Sequence, residues 1–310
     1  MSELPQFDTR VPNPARMWNY WLGGKDNFAA DRDAAQGFIR VLPTMPAIAR
    51  LARQFQAHAV HSLAADYGVR QFLDIGAGLP SVDNTHQVAQ DVAPTARIVY
   101  VDHDPIVISH AQALLTSSEE GATGYILADL RDTDAILASA ADTLDFDQPV
   151  AIMLLAILHL ISDEEDPWEI IRRLMNAVPS GSYLMVSHGA SDIQAQAGAE
   201  LMRRYSELTK RPLFLRTHAE VARFLDGLPL IGPGVVPVSQ WGAPGEEAET
   251  GMAAYCGIGR KPLSSVLRPK SASQVRHASL DPLLLPAVKA TAVFVFETDV
   301  FVPDLLGYLA

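Results

Sequence analysis

Cysteine is almost absent from this sequence of 310 residues, in which Cys256 is the one thiol. A single cysteine cannot form a disulfide within the chain, so the disulfide-stapled class of small secreted domains is excluded. Cys256 lies in an apolar run at 252–258, where we interpret it as core packing rather than as a nucleophile. The first residues contain neither the basic segment nor the apolar run of a signal peptide, which favours a cytoplasmic protein.

Positive charge and long apolar runs are also scarce. With 24 basic and 36 acidic residues, the chain has a net charge of −12 at pH 7. Because like charges repel phosphates, this balance disfavours a nucleic-acid partner and fits a small-molecule substrate better. The longest apolar run, 150–161, contains His159 and is too short to span a bilayer, so no membrane partner is expected.

From residue 71 onward, short apolar runs alternate with helical patterns, which is typical of an α/β protein with parallel strands joined by crossover helices. Strands are predicted at 71–75, 97–102, 123–128, 150–155, 182–187, 235–240 and 252–258. Helices are predicted at 84–92, 105–115, 133–141, 164–178 and 192–209. Asp163 is the predicted N-cap of the fourth of these helices.

A glycine turn follows the first predicted strand. Asp74 lies near the end of that strand, and Gly76 and Gly78 follow it. Glycines at such a turn let the backbone approach a ligand closely. A dinucleotide fingerprint would need a third glycine where Ser81 stands, so the pattern argues against a nicotinamide oxidoreductase.

Acidic residues also stand at the ends of the second and third predicted strands. Asp102 ends the second strand, where a carboxylate can accept hydrogen bonds from both hydroxyls of a ribose. Asp129 follows the third strand, where it can accept from an adenine amino group while Leu130 packs on the ring. Ligands of open α/β sheets bind at the carboxyl ends of the strands, so these acids predict a cofactor at that edge.

These segments resemble the cofactor motifs of class I S-adenosylmethionine-dependent methyltransferases. The matching residues are 74–78, 101–102 and 128–130, and in this pattern His103 directly follows the ribose-binding acid. The resemblance implies S-adenosylmethionine as the cofactor. It also implies a Rossmann-like, mostly parallel sheet of about seven strands, with helices on both faces.

A narrower resemblance lies near the N-terminus. Residues 22–28 read Leu-Gly-Gly-Lys-Asp-Asn-Phe and are similar to the N-terminal signature of an actinobacterial methyltransferase family, DUF574. This resemblance runs from about residue 12 to about residue 262. Asn19 and Gln87 are amides at positions where that family's pattern has acids.

Three histidines follow predicted strands and are candidates for proton transfer: His103, His159 and His188. His159 is the favoured general base, because the loop after the fourth strand faces the transferred methyl group in the fold that the sequence resembles. The alternative for each is a buried histidine that is hydrogen-bonded to the backbone. The spacing of the histidines shows no ligand motif such as His-Glu-x-x-His, so no metal site is predicted.

The N-terminal segment combines aromatic residues and cations around a glycine pair. We predict that this segment is a lid over the cofactor. In it, Lys25 or Arg16 binds the methionine carboxylate of the cofactor, and Tyr20 or Trp21 lines the substrate pocket beside the reacting groups. The alternative is a plain helical hairpin that completes the core, although this explains Gly23-Gly24 less well.

The sequence therefore predicts a methyltransferase that acts on an unidentified small molecule by in-line transfer. The main alternative is an S-adenosylmethionine-binding protein without methyl transfer, in a regulatory or assembly role, and the two amides motivate it. We divide the chain into a helical lid at 1–65, a cofactor-binding domain at 66–262 and an extension at 263–310. A predicted hairpin within 292–302 would need cover from the domain or from a second subunit, so a homo-oligomer is one expectation.

Overall fold

The centre of the molecule is a seven-stranded sheet. The computed structural model of the protein describes residues 8–241 and 251–263. The strands run at Gln71–Ile75 (β1), Arg97–Asp102 (β2), Ala122–Leu127 (β3), Ala151–Leu155 (β4), Tyr183–Gly189 (β5), Leu230–Pro237 (β6) and Ala254–Arg260 (β7). Their order across the sheet is β3-β2-β1-β4-β5-β7-β6.

The first five strands are parallel to one another, and β7 lies antiparallel between β5 and β6. Along the chain, the sheet begins with β1 in its middle and extends to one side through β2 and β3. The chain then crosses back and continues with β4 on the other side of β1. This reversal opens a crevice at the carboxyl ends of β1 and β4, where open α/β sheets bind ligands. The arrangement confirms the predicted Rossmann-like, mostly parallel sheet.

Helices cover both faces of this sheet. They run at Pro14–Trp21 (α1), Ala29–Val41 (α2), Met45–Ala65 (α3), Thr85–Val92 (α4), Pro105–Leu114 (α5), Thr133–Ala140 (α6), Pro167–Ala177 (α7), Ala195–Thr209 (α8) and His218–Ala222 (α9). Successive strand residues point to opposite faces, so Phe72 joins one buried cluster and Leu73 the other. Among the described residues, no helix combines the length and the apolarity needed to cross a bilayer.

The largest difference between a predicted strand and the structure is at β6. The strand predicted at 235–240 begins earlier, at Leu230, and gives way after Pro237 to a short 3-10 turn. Gly232, Pro233 and Gly234 obscure the start of this strand, but an edge strand tolerates such residues because one of its sides makes no ladder hydrogen bonds. The prediction that Cys256 is core packing is confirmed, since this residue is buried on β7.

The predicted N-cap Asp163 of the fourth helix is wrong. Residues Asp163–Glu165 form a separate 3-10 turn, and Asp166 caps α7 by accepting a hydrogen bond from the backbone N–H of Glu169 at 3.0 Å. Pro167 explains the shift. A proline fits the first helical position, and it disfavours helical geometry in the residue before it.

The α/β unit ends just after β7. Lys261 fixes this end, because its Nζ donates to the carbonyl oxygens of Met175 and Val178, both at 2.7 Å. The predicted hairpin at 292–302 lies outside the described residues.

We predict that a chain truncated after Pro262 unfolds at the same temperature as the full chain, because it retains β7 and the Lys261 bonds. Any change should appear in oligomeric state, measured by size-exclusion chromatography beside scanning calorimetry. A second truncation after Cys256, which removes half of β7, is the control and should unfold at a clearly lower temperature. A large drop for the first truncation would place residues 263–310 in the core.

Candidate functional site

The loop after β1 lies at the crevice and has the shape of a ligand cradle. Gly76 and Gly78 have φ angles of +80° and +66°, which favour glycine. A Cβ added to Gly76 would lie 2.5 Å from Cδ1 of Ile157, whereas one added to Gly78 would meet no atom within 4 Å. The backbone at Gly76 is therefore closely packed, while open space remains over Gly78 for a ligand.

The carboxylate of Asp102 connects this loop to the next helix. It ends β2, is 6% exposed, and accepts hydrogen bonds from the backbone N–H groups of Gly78 at 3.0 Å and Asp104 at 2.9 Å. The ring of His103 lies 3.5 Å from Asp102, and its hydrogen bond to that carboxylate raises the pKa of the histidine. Two predicted cofactor residues are thus brought together beside the glycine loop.

A second buried carboxylate lies below the loop. Burial raises the pKa of Asp74 to about 6, although a hydrogen bond from Thr85 and the charge of Arg53 oppose this shift. Thr85 donates through Oγ1 at 2.7 Å. Burial lowers the pKa of Arg53, which extends from α3 and is itself stabilised by Asp74. A negative and a positive group therefore share the floor of the crevice.

These residues line one cavity of about 220 Å³ that continues under the N-terminal helices. Its polar part contains Asp74, Asp102 and Arg53, together with the glycine loop. The part away from the sheet edge is lined by apolar side chains from α1, α2 and α8. This volume lies below the roughly 300–1,000 Å³ of most ligand pockets, so the cavity as it stands is small for a ligand.

The histidines after β4 and β5 lie together at the cavity wall. The rings of His159 and His188 are 5.7 Å apart at their centroids, in an edge-to-face arrangement. His188 contacts the carbonyl oxygen of Gly189 through Nδ1 at 2.8 Å and Arg216 through Nε2 at 2.9 Å. Because a carbonyl oxygen only accepts and Arg216 only donates, His188 is held as the neutral Nδ1–H tautomer.

The ring of His159 is differently placed. Burial, with a further effect from Arg216, lowers its pKa to about 4, so the imidazole is neutral at pH 7. Its Nδ1 is buried and has no hydrogen-bond partner in the described part of the chain. The residue lines the cavity, and with Nδ1 buried, Nε2 is its candidate nitrogen for contact with a ligand.

Two predicted adenine contacts do not lie on the cavity wall. Leu130 is buried in the core under the sheet. Asp129 forms an ion pair with Arg131 at 3.1 Å, and this guanidinium also contacts Glu165 at 2.6 Å. Partial burial alone would raise the pKa of Asp129, but the hydrogen bonds from Arg131 leave it lowered. Arg131 therefore already forms hydrogen bonds to the carboxylate that was predicted to contact the adenine.

The predicted lid cations are also placed away from the cavity. Arg16 is buried and pairs with Asp31 at 2.8 Å, so it does not face the space beside the glycine loop. Lys25 is exposed at the turn between α1 and α2. Tyr20 lies outside the cavity, where its hydroxyl accepts a hydrogen bond from Gln36 at 3.1 Å. Trp21, the alternative wall residue, does line the cavity.

The glycine pair between α1 and α2 has a structural explanation. Gly23 has a φ of +81° and ends α1, with its N–H bonded to the carbonyl oxygen of Tyr20. A Cβ on Gly24 would lie 2.3 Å from the amide of Asn19, which lines the cavity. The alternative of a helical hairpin therefore accounts for the glycines, and the hairpin also covers the cavity.

The hairpin docks on the sheet edge through Asp104. This carboxylate caps α5 and also accepts a hydrogen bond from Nδ2 of Asn13 at 2.7 Å. Sequence analysis did not identify Asp104, Arg53 or Arg216. Nothing in the sequence indicated Arg216. Asp104 could have been noticed, because it is a second acid two positions after Asp102.

A metal-binding arrangement is not found among residues 8–241 and 251–263. No group of three or more His, Cys, Asp or Glu side chains there is placed to hold an ion.

Comparison with known proteins leads to one family. A family model described as S-adenosyl methyltransferase matches residues 2–262. A DUF574 family protein from Streptomyces avermitilis is 42% identical, with a TM-score of 0.79 over 83% of this chain and 100% of its own. A candidate methyltransferase from Thermobifida fusca is 36% identical, with a TM-score of 0.76 over 84% of this chain and 99% of its own. No curated protein matches the chain.

The buried carboxyl of Asp74 makes a prediction about pH. Its folded-state pKa of about 6 lies above the ordinary 3.8, so ionisation of Asp74 destabilises the folded state. Stability from this group is present below about pH 4 and is lost as the pH rises to about 6. Above that pH, the free energy of unfolding of the uncharged Asp74→Asn variant should exceed that of the wild type by about 3 kcal/mol, at about 1.4 kcal/mol per pKa unit.

Urea unfolding of both proteins across this pH range measures the difference, which should vanish at the acid end. Asp91→Asn, on the exposed face of α4, is the matched control and should follow the wild type throughout. Parallel curves for Asp74→Asn and the wild type would mean that the buried carboxyl has an ordinary pKa.

Proposed function

The chain belongs to the S-adenosyl methyltransferase family, and we propose that its methyl donor lies in the sheet-edge cavity and its acceptor is a small molecule. It is an S-adenosylmethionine-dependent methyltransferase, as the resemblance to DUF574 predicted. One observation carries the proposed placement: Asp74, Asp102 and the glycine loop of the cofactor motifs line a single cavity at the crevice of the sheet. A cytoplasmic location and the absence of a nucleic-acid partner stay predictions.

The donor's ribose is assigned to Asp102. This carboxylate is already fixed by two backbone N–H groups, so it is held ready to accept hydrogen bonds from a diol. His103 lies beside it and is 38% exposed at its side chain, which suits a contact at the outer side of the ribose. The bound donor supplies an electrophilic methyl group on its sulfonium sulfur.

The methionine end of the donor carries a carboxylate and an ammonium group, and the floor of the crevice has a matching pair. Arg53 suits the carboxylate, and Asp74 suits the ammonium. The glycine loop at 76–78 lets the ligand approach the backbone between them. This assignment replaces Lys25 and Arg16 as the carboxylate-binding cations.

The adenine end is assigned to Asp129, which has 45% of its side chain exposed. Arg131 contacts Oδ1 at 3.1 Å and Oδ2 at 3.3 Å, and an ionised carboxylate can accept about four hydrogen bonds, so Oδ2 can also accept from the adenine amino group. Arg131 is held in place by Glu165 and by the carbonyl oxygen of Leu160 at 3.1 Å. The side chain of Leu130 remains in the core and supports the pocket from below.

The acceptor is assigned to the apolar part of the cavity, with His159 as the group that receives a proton. The neutral ring offers Nε2 to the cavity and is not occupied by another protein group. A base is needed only when the acceptor atom carries a proton at neutral pH.

The two amides that motivate the rival function, binding without transfer, have local roles in the structure. Gln87 accepts from the N–H of Asn84 as part of a capping box, and Asn19 accepts from Asn27 at 2.9 Å. A carboxylate oxygen could accept the same two bonds, so the change from acid to amide leaves helix and turn geometry intact.

Asp102 is tested by the Asp102→Asn variant, which keeps the size of the side chain and removes its charge. We expect S-adenosylhomocysteine to bind at least about 1.5 kcal/mol more weakly, because hydrogen bonds to charged groups are worth roughly that much. Calorimetry measures the affinity, and Asp91→Asn serves as a control that should bind normally. Equal affinities for the two variants would place the ribose elsewhere.

The lid is tested by hydrogen exchange over residues 12–40. These residues cover a cavity too small for the donor, so the hairpin must open and then close over the bound ligand. Saturating S-adenosylhomocysteine should slow amide exchange in α1 and α2. Exchange in α6, on the opposite face of the sheet, is the internal reference. Unchanged rates at 12–40 with demonstrated binding would show that the hairpin is not a lid.

A further inference from the structure

The chemical character of the apolar half of the cavity points to the class of acceptor. Four aromatic side chains form a continuous surface there, which we call the aromatic wall: Trp18, Trp21, Phe38 and Tyr205. Neighbouring rings meet edge to face with centroids 5.8, 6.0 and 6.3 Å apart. The wall combines α1, α2 and α8, so it exists only when these three helices are packed together.

Charge is confined to the other half. Among the described residues that line the cavity, the ionic side chains are Asp74, Asp102 and Arg53, and all three belong to the donor site. His103, whose pKa is raised, stands beside Asp102 at that same end. The other ionisable groups that line the cavity are His159, His188 and Tyr205. Burial lowers the pKa of both histidines and raises that of Tyr205 to about 12, so all three are neutral at pH 7.

Arg216, behind His188, does not line the cavity and is already paired with Asp163 at 2.7 Å. An acceptor with a net charge would therefore lose hydration without gaining a counter-charge on the cavity wall, which is strongly unfavourable. A planar ring, in contrast, fits edge to face or stacked against the wall, which adds to the stabilisation from buried area alone. Nε2 of His159 is one accessible acceptor of hydrogen bonds at this end and needs a donor from the ligand.

We infer that the acceptor is an uncharged aromatic compound with a hydroxyl group on the ring, bound against the aromatic wall with that hydroxyl donating to His159. This inference rests on the proposed function, since it places the donor at Asp102. In the reaction the hydroxyl oxygen forms a bond to the methyl carbon while the carbon–sulfur bond breaks, and the electron pair of that bond stays on sulfur.

The hydroxyl proton passes to Nε2 of His159 and then to solvent. A weak base is sufficient for this step, because a methylated oxygen that still carries its proton is a far stronger acid than an imidazolium with a pKa of about 4. His159 thus removes the proton as the bond forms, without a need to create a phenolate beforehand.

The test uses three probes built on one ten-carbon bicyclic frame, added to the full-length protein saturated with S-adenosylhomocysteine. These are 2-naphthol, the anion 2-naphthoate and the saturated alcohol decahydro-2-naphthol. Calorimetry should show 2-naphthol binding at least about tenfold tighter than 2-naphthoate, because only the anion loses hydration without compensation. It should also bind tighter than the saturated alcohol, and Trp18→Leu should reduce that second preference.

His159→Phe tests the hydrogen bond. This variant should bind 2-naphthol about threefold to tenfold more weakly, which is the usual effect of losing one hydrogen bond. Its affinity for 2-methoxynaphthalene should be unchanged, since that ligand has no proton to donate. His61→Phe, on the exposed side of α3, is the matched control.

Two results would overturn the inference: 2-naphthoate or the saturated alcohol binding as well as 2-naphthol, or none of the probes binding to protein that binds S-adenosylhomocysteine. Failure of S-adenosylhomocysteine itself to bind would instead contradict the proposed donor site.

Discussion

The hydrogen bonds to the carboxylate of Asp102 determine how the parts of the site are assembled. One oxygen accepts from the glycine loop after β1 and the other from the first turn toward α5, so a single side chain at the end of β2 aligns two neighbouring connections. Asp104 continues this arrangement, because it caps α5 and binds Asn13 of the N-terminal hairpin. Two acids, Asp102 and Asp104, therefore hold the sheet edge, the glycine loop and the hairpin together. The same few bonds position the proposed donor site and the helices that cover it.

The inner strands were largely predictable because they are buried on both faces, and such strands appear in the sequence as nearly uninterrupted apolar runs. The first two strands have the predicted bounds. The strand starting at Leu230 was mispredicted because it is an edge strand with glycines and a proline, whose sequence looks like a loop. The cap of α7 was misplaced by three residues because Pro167, not the nearest acid to the apolar pattern, fixes where that helix begins.

The donor motifs were predictable for a similar reason: Asp74 and Gly78 are close in sequence, and their chemistry depends on a short local turn. Contacts between distant segments were not. The sequence alone cannot show that Arg16 is already paired with Asp31 across the hairpin, or that Arg53 on α3 reaches the crevice. A basic side chain is available to a ligand only if it does not already form an ion pair within the protein, and packing decides whether it does.

The aromatic wall has a consequence for how this protein can change. Its rings are contributed by helices, whereas the acids and glycines of the donor site belong to strand ends and the loops that follow them. Under the proposed function, substitutions of the wall residues on α1, α2 and α8 change which acceptor binds and leave the strand-end acids and glycines in place. The hairpin as a whole is not independent of the sheet, because Asn13 binds Asp104. Engineering of a new acceptor preference should therefore concentrate its substitutions on the wall residues and leave the sheet edge untouched.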